Sequence, residues 1–213
     1  VLFVILCFII LALSGLAALF QAQAVHPISG ETIRAVNLLS VAGLHRILDR
    51  HAEAEPLLRE ALAMQLRLYG GPHPDIDDTK RQLAGLLRDT RRFEESEALY
   101  LEVIESRTRM LGADHLEVAH TWNSYSQMLT DENRLEPALE ANQQFIDIME
   151  RAYAGPHPSL GAAYNNRATL LDDFGDFDGA VEWFDRSIRM QDLTGLPARH
   201  INRSFPLANK AFV

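Results

Sequence analysis

The sequence predicts an all-α fold, an α-solenoid of helix pairs stacked at a fixed interval. Three observations predict it. Histidine-bearing joints recur at His73, His115 and His157, 42 residues apart. The segments between them carry apolar residues at helical spacing. Two columns of small residues repeat with the same period. A period of this length marks structural units that bury their apolar faces only by stacking on one another.

The chain opens with VLFVILCFIILALSGLAALF, in which no residue is charged; the first charge is Glu31. The run leads into Ala22-Gln23-Ala24, a small-x-small pattern. Residues 1–24 are therefore expected to be either a secretory signal peptide cleaved after Ala24 or an uncleaved apolar helix anchoring the chain in a membrane. Cys7, the only cysteine, reads as one more apolar residue of this run. A linker over 25–32 would follow, with the array over 33–213 comprising four helix pairs and the start of a fifth.

Each unit begins with a helix A, expected at 33–48, 75–90, 117–131 and 159–174. A helix B follows at 52–69, 94–110, 135–152 and 178–192. In the second unit Ile76, Leu83, Ala84 and Leu87 mark the apolar face of helix A. Ala98, Leu99, Val103, Ile104 and Leu111 mark that of helix B. The joint Tyr69-Gly70-Gly71-Pro72-His73-Pro74 returns as Leu111-Gly112-Ala113-Asp114-His115-Leu116 and Tyr153-Ala154-Gly155-Pro156-His157-Pro158, with a looser copy at 195–200. Glycine after the last turn and proline at the first helical position read as helix stop and helix start. Small residues recur in helix A at Ala42, Ala84, Ser126 and Ala168, and in helix B at Ala54, Ser96, Ala138 and Ala180. They would let paired helices cross closely, with Leu87, Leu129 and Leu171 filling between them. His45 stands in that last column in unit one. Pro56 lies inside the first helix B, so an irregular first unit is expected.

These helix pairs resemble tetratricopeptide repeats. The 42-residue period and the G-x-x-H-P joint resemble the kinesin-light-chain subtype, as do Tyr164-Asn165-Asn166-Arg167-Ala168 and the helix-B opening Arg92-Phe93-Glu94-Glu95-Ser96-Glu97-Ala98-Leu99. The resemblance covers residues 33–213. It implies a right-handed superhelix whose concave face, lined by the A helices, binds peptide segments of partner proteins.

Composition bounds the chemistry. A net charge of −9 argues against a nucleic-acid partner, which requires basic surface. Three histidines on successive units would stand a helix diameter apart, about 10 Å, too far to share one metal ion. Asp172-Asp173-Phe174-Gly175-Asp176-Phe177-Asp178-Gly179 resembles part of a calcium loop. Aligned on its glycine, however, the loop would begin at Phe174 and end at Asp185 rather than Glu. Its counterparts in other units are plain inter-helix turns. No G-x-S-x-G or H-E-x-x-H motif occurs. Trp122 and Trp183 read as packing residues, and Asn202-Arg203-Ser204 is a formal glycosylation triplet.

The expectation is thus a non-enzymatic interaction scaffold with a protein or peptide partner and with no cofactor, metal or catalytic residue. A membrane is involved only if the N-terminal segment is retained. Export to the periplasm or beyond is expected, or anchorage with the array exposed. The alternative is the sensor region of a larger multidomain protein. No pattern here fixes an oligomeric state. The expected groove residues are Arg46, Arg81, Arg88, Asn123, Gln127, Asn165, Asn166 and Thr169, with Asp131, Asp172 and Asp173 near the rim. Asn123 and Asn165 share a column and would hold a ligand backbone between them. The arginines suggest a ligand whose acidic part lies over units one and two.

Overall fold

The computed structural model describes residues 30–195. The apolar N-terminal run, Cys7, the fifth helix, the glycosylation triplet and all but the first residue of the 195–200 joint fall outside them. Among the described residues there are eight helices: α1 (Gly30–Ile47), α2 (His51–Tyr69), α3 (Pro74–Asp89), α4 (Phe93–Leu111), α5 (Leu116–Asp131), α6 (Leu135–Ala152), α7 (Pro158–Asp173) and α8 (Phe177–Leu193). They pair as α1–α2, α3–α4, α5–α6 and α7–α8, and each pair packs on the next. None of these helices is long and apolar enough to cross a membrane.

Each A-to-B turn closes in the same way. Asp49, Arg91, Asn133 and Gly175, one per unit at the 42-residue interval, hold positive φ of 55°, 61°, 64° and 80°. The following residue's N–H reaches back five positions. Arg50 donates to the His45 carbonyl, Arg92 to Leu87, Arg134 to Leu129 and Asp176 to Leu171, at 2.8–2.9 Å. This bond and the left-handed residue before it form a Schellman cap, which satisfies carbonyls the helix end would otherwise leave open.

The small-residue columns sit where the paired helices cross. Ala54, Ala84, Ser96, Ala138, Ala168 and Ala180 have no exposed surface, and Ala42 has 1%. The second-unit A-helix stripe of Ile76, Leu83, Ala84 and Leu87 is buried as expected. That of the following B helix is rotated. Ala98 and Leu111 are exposed, and the buried residues of α4 are Ser96, Tyr100, Val103, Ile104 and Arg107. Two polar members of that stripe have partners in place, so burying them leaves no unmet hydrogen bond. Ser96 Oγ donates to the Ala84 carbonyl at 2.8 Å, and the Arg107 guanidinium ties α3 to α5. Its partners are the Asp78 carboxylate, the Thr121 hydroxyl and the Glu117 carbonyl.

Unit one departs from expectation in two respects. Helix α1 begins at Gly30, inside the expected linker. Helix α2 runs unbroken through Pro56. The backbone bond lost at Pro56 would have gone to Ala52, and both residues are exposed, so water can take the orphaned carbonyl. Buried Ala54, Leu58 and Ala61 hold the helix on either side. Ile33, Val36, Val41, Leu44 and Ile47 of α1 remain exposed, Ile47 by 80%.

Two A helices of successive units, α3 and α5, touch, whereas no two B helices approach to the same extent. The layer whose members lie closer together is the inside of a curve. The A helices therefore line the inner face.

Candidate functional site: the inner face of the A helices

The histidine joints are helix caps. In each, the histidine precedes the first residue of an A helix, and its Nδ1 accepts a backbone N–H two residues on: Asp75 to His73 at 3.2 Å, Glu117 to His115 at 3.1 Å and Ser159 to His157 at 3.1 Å. An acceptor at this position satisfies one of the open N–H groups of a helix start. Tyr69 stacks on His73 and Tyr153 on His157, with ring centroids 3.6 and 3.7 Å apart. The Tyr69 hydroxyl also donates to Asp75 at 2.6 Å. That bond, aided by burial, pushes the Tyr69 phenol up to about 12. The aspartate-rich segment at 172–179 is a turn and a cap as well, since the Asp176 carboxylate accepts the Gly179 N–H at 3.0 Å. Among the described residues, no three His, Asp or Glu side chains converge to hold a metal.

Several of the expected groove residues form a polar seam from one A helix to the next. Arg46 of α1 lies 3.7 Å from Asp89 of α3. Arg88 of α3 meets its neighbour Asp89 at 2.9 Å, Asp131 of α5 at 3.4 Å and the Gln127 carboxamide oxygen at 3.3 Å. Arg81 lies 3.9 Å from Asp78. Each of the three arginines therefore faces a carboxylate, and the expected surplus of positive charge over units one and two is absent.

Between units three and four the seam opens into a pocket of about 210 Å³. Helix α5 contributes Asn123, Gln127 and Asp131 at four-residue steps along one face. Helix α7 contributes Asn166, Thr169 and Asp173 opposite, and Asn142 of α6 lines the pocket as well. Asn166 Nδ2 donates to Asn123 Oδ1 at 3.2 Å. Asn166 thus meets Asn123 across the pocket, and its neighbour Asn165, the column-mate of Asn123, is not among the lining residues. Helices that cross at an angle bring together residues one position out of register. Asp173 has its carboxyl held above the ordinary range by burial and by the neighbouring charges of Asp172 and Asp131.

Sequence reasoning passed over Asn142. Its column holds Leu58, Tyr100 and Phe184 in the other units, all buried, at 2%, 2% and 0% exposure. An asparagine among large apolar residues at the same period was the available signal. It fills less space than they do, and the pocket lies beside it.

The helix pairs, their period and their capped joints agree with the sequence-wide comparison. Tetratricopeptide repeat models match residues 75–151 and residues 38–75 and 160–192. The chain belongs to the tetratricopeptide repeat family. Tetratricopeptide repeats are generally protein-interaction modules and typically non-catalytic. No curated protein matches the sequence. Among solved structures, BtubC (BKLC) from P. vanneervenii superposes with a TM-score of 0.69 at 21% identity, covering 86% of this chain and 74% of that one. A Podosopora anserina protein described as a kinesin light chain with nearly identical TPR-like repeats gives 0.72 at 20% identity and 84% of each chain. A Rap protein complexed with competence and sporulation factor gives 0.65 at 17% identity, covering 76% of this chain and 44% of that one. At these identities the likeness is one of fold.

Proposed function

We propose that this array is a non-enzymatic scaffold that holds an extended segment of a partner protein against the inner face of its A helices. The observation that carries the reading is the pocket between α5 and α7, where Asn123, Gln127, Asn166 and Thr169 meet on the inner face. Amide side chains both donate and accept, so they can hold a peptide backbone whatever its side chains. A similar fold in the Rap structure is complexed with a factor, which supports binding as the use of such an array.

The test is selection of binding peptides from a displayed library on the full chain. Wild type is then compared with the Asn123→Ala, Asn166→Ala double variant. The loss expected is about 1–3 kcal/mol, the worth of a few hydrogen bonds at a partly buried site, with the helical circular dichroism unchanged. Equal affinity of both proteins for every selected peptide would move the binding surface off the A helices.

The apolar run at 1–20 and the Ala22-Gln23-Ala24 site support action outside the cytoplasm, in the periplasm or secreted. N-terminal mass spectrometry of protein from a secreting host should find the mature chain starting at Val25. An intact run recovered with membranes would make the protein an anchored one with its array exposed.

A further inference from the structure

We propose that the pocket between α5 and α7 is a specificity site for one basic side chain, a lysine or arginine of the bound segment. The proposal rests on the peptide-binding reading above and names the chemistry that reading leaves open.

Hydrogen bonding around the pocket favours a ligand that donates. Three hydroxyls line it, and each has its hydrogen committed elsewhere. Ser126 Oγ donates to the Ala138 carbonyl at 2.8 Å, Thr130 Oγ1 to Ser126 at 2.9 Å and Thr169 Oγ1 to Asn165 at 3.1 Å. What they can offer a ligand is lone pairs. Asn142 is 2% exposed, and its carboxamide oxygen is buried without any hydrogen bond. An unpartnered buried acceptor is costly and uncommon, and it marks a place where a donor is missing.

The charge points the same way. Two carboxylates, Asp131 and Asp173, line the pocket, and no lysine, arginine or histidine does. Arg88 answers Asp131 at 3.4 Å, while among the described residues no cation forms a salt bridge with Asp173. Burial, together with the like charges of Asp172 and Asp131, raises the proton affinity of Asp173, and a ligand cation would offset the like-charge part. The size fits as well. At about 210 Å³ the pocket falls below the roughly 300–1,000 Å³ of small-molecule sites and suits a single side chain. It lies on the inner face, where an extended segment would pass.

The experiment uses the full chain and peptides selected on it from a random library. Each is resynthesised with its lysines and arginines replaced one at a time by norleucine or glutamine. One basic position per peptide should stand out, its replacement weakening binding by about tenfold to a hundredfold. The protein variant Asp131→Asn, Asp173→Asn should lose as much, and the two losses should not add when combined. If norleucine peptides bind as well as lysine peptides but the Asn123→Ala, Asn166→Ala variant still loses affinity, the basic-side-chain assignment is wrong and the groove stands. If neither variant alters binding, or no peptide is selected, both readings fail. Binding that requires added calcium and vanishes with chelator would assign the aspartates to a divalent ion instead and overturn the proposal.

Discussion

Ser126 and Ala138 are joined across a helix pair: the Ser126 hydroxyl donates to the Ala138 carbonyl at 2.8 Å, and Ala138 is fully buried. One unit earlier the roles are exchanged. There Ser96 of the B helix donates to the Ala84 carbonyl of the A helix, also at 2.8 Å. The two columns of small residues are one contact, made by alanine on alanine in units one and four and stitched by a hydroxyl in units two and three.

Ser96→Ala and Ser126→Ala should each therefore lower stability by only about 0.5–1.5 kcal/mol, the net worth of a hydrogen bond, since alanine already fits this contact elsewhere. Ala84→Leu should cost more, about 1–3 kcal/mol, because nothing at a fully buried crossing can give way. Urea unfolding followed by circular dichroism measures both. Equal losses for the serine and leucine variants would show that the crossing is not closely packed.

The histidine caps predict a second set of losses. His73→Ala, His115→Ala and His157→Ala should each cost about 0.5–2 kcal/mol, whereas asparagine at the same positions should restore most of it. Adding a chelator should leave the wild-type melting temperature where it was. A fall of several degrees would return these imidazoles to the role of metal ligands.

Asp77 predicts a pH dependence. It stands in a column with Ala35, Ala119 and Gly161 and is 1% exposed. Burial raises its carboxyl above the ordinary value, against the pull of a Ser106 hydrogen bond, Arg107 and Lys80; Asp78 adds to the rise. The folded state therefore holds this proton more tightly than the unfolded chain does. The stability so gained is complete below the unfolded value of about 3.9 and is lost as pH rises through the higher folded value. Asp77→Asn should match wild type in acid and melt higher than wild type near neutrality. A gap between the two melting curves that stays constant with pH would refute this.

Gly161 predicts a coupling. A Cβ there would lie 2.8 Å from Cγ of Gln191, which is itself 1% exposed. Gly161→Ala should destabilise by about 1–3 kcal/mol despite the roughly 1 kcal/mol that alanine offers a helix. Gln191→Ala on the same chain should recover much of the loss, so that the double variant is less harmful than the sum of the singles. Additive losses would mean that the two residues do not touch.

Much of this was legible in the sequence because the period aligns four attempts at the same unit. Helix boundaries at Tyr69, Asp131, Leu135 and Ala152 follow from capping and turn residues that act locally. The rotated stripe on α4 was only partly legible: Ser96 was read as a crossing residue, but Arg107 is charged, and only its partners on neighbouring helices make it an interior residue. The Asn123–Asn166 pair depends on the angle at which α5 and α7 cross, which column alignment treats as zero. Asn142 was hidden for a simpler reason. It belongs to a B helix, and the inner face was sought on A helices alone.

The Arg107 tie has a mechanical consequence. Its side chain is 4% exposed and grips Asp78 on one unit and Glu117 and Thr121 on the next. In unit three the same column holds Met149, and the junction from unit three to unit four is crossed instead by separate hydrogen bonds, from Arg167 to the Leu139 carbonyl, from Tyr164 to Glu150 and from Asn166 to Asn123. The array is therefore a spring whose coils are fastened in different ways, by a buried charged bolt across α3, α4 and α5 and by separate hydrogen bonds at the next junction. A guest wedged between α5 and α7 would act as a shim, adding a fastening of its own to that coil.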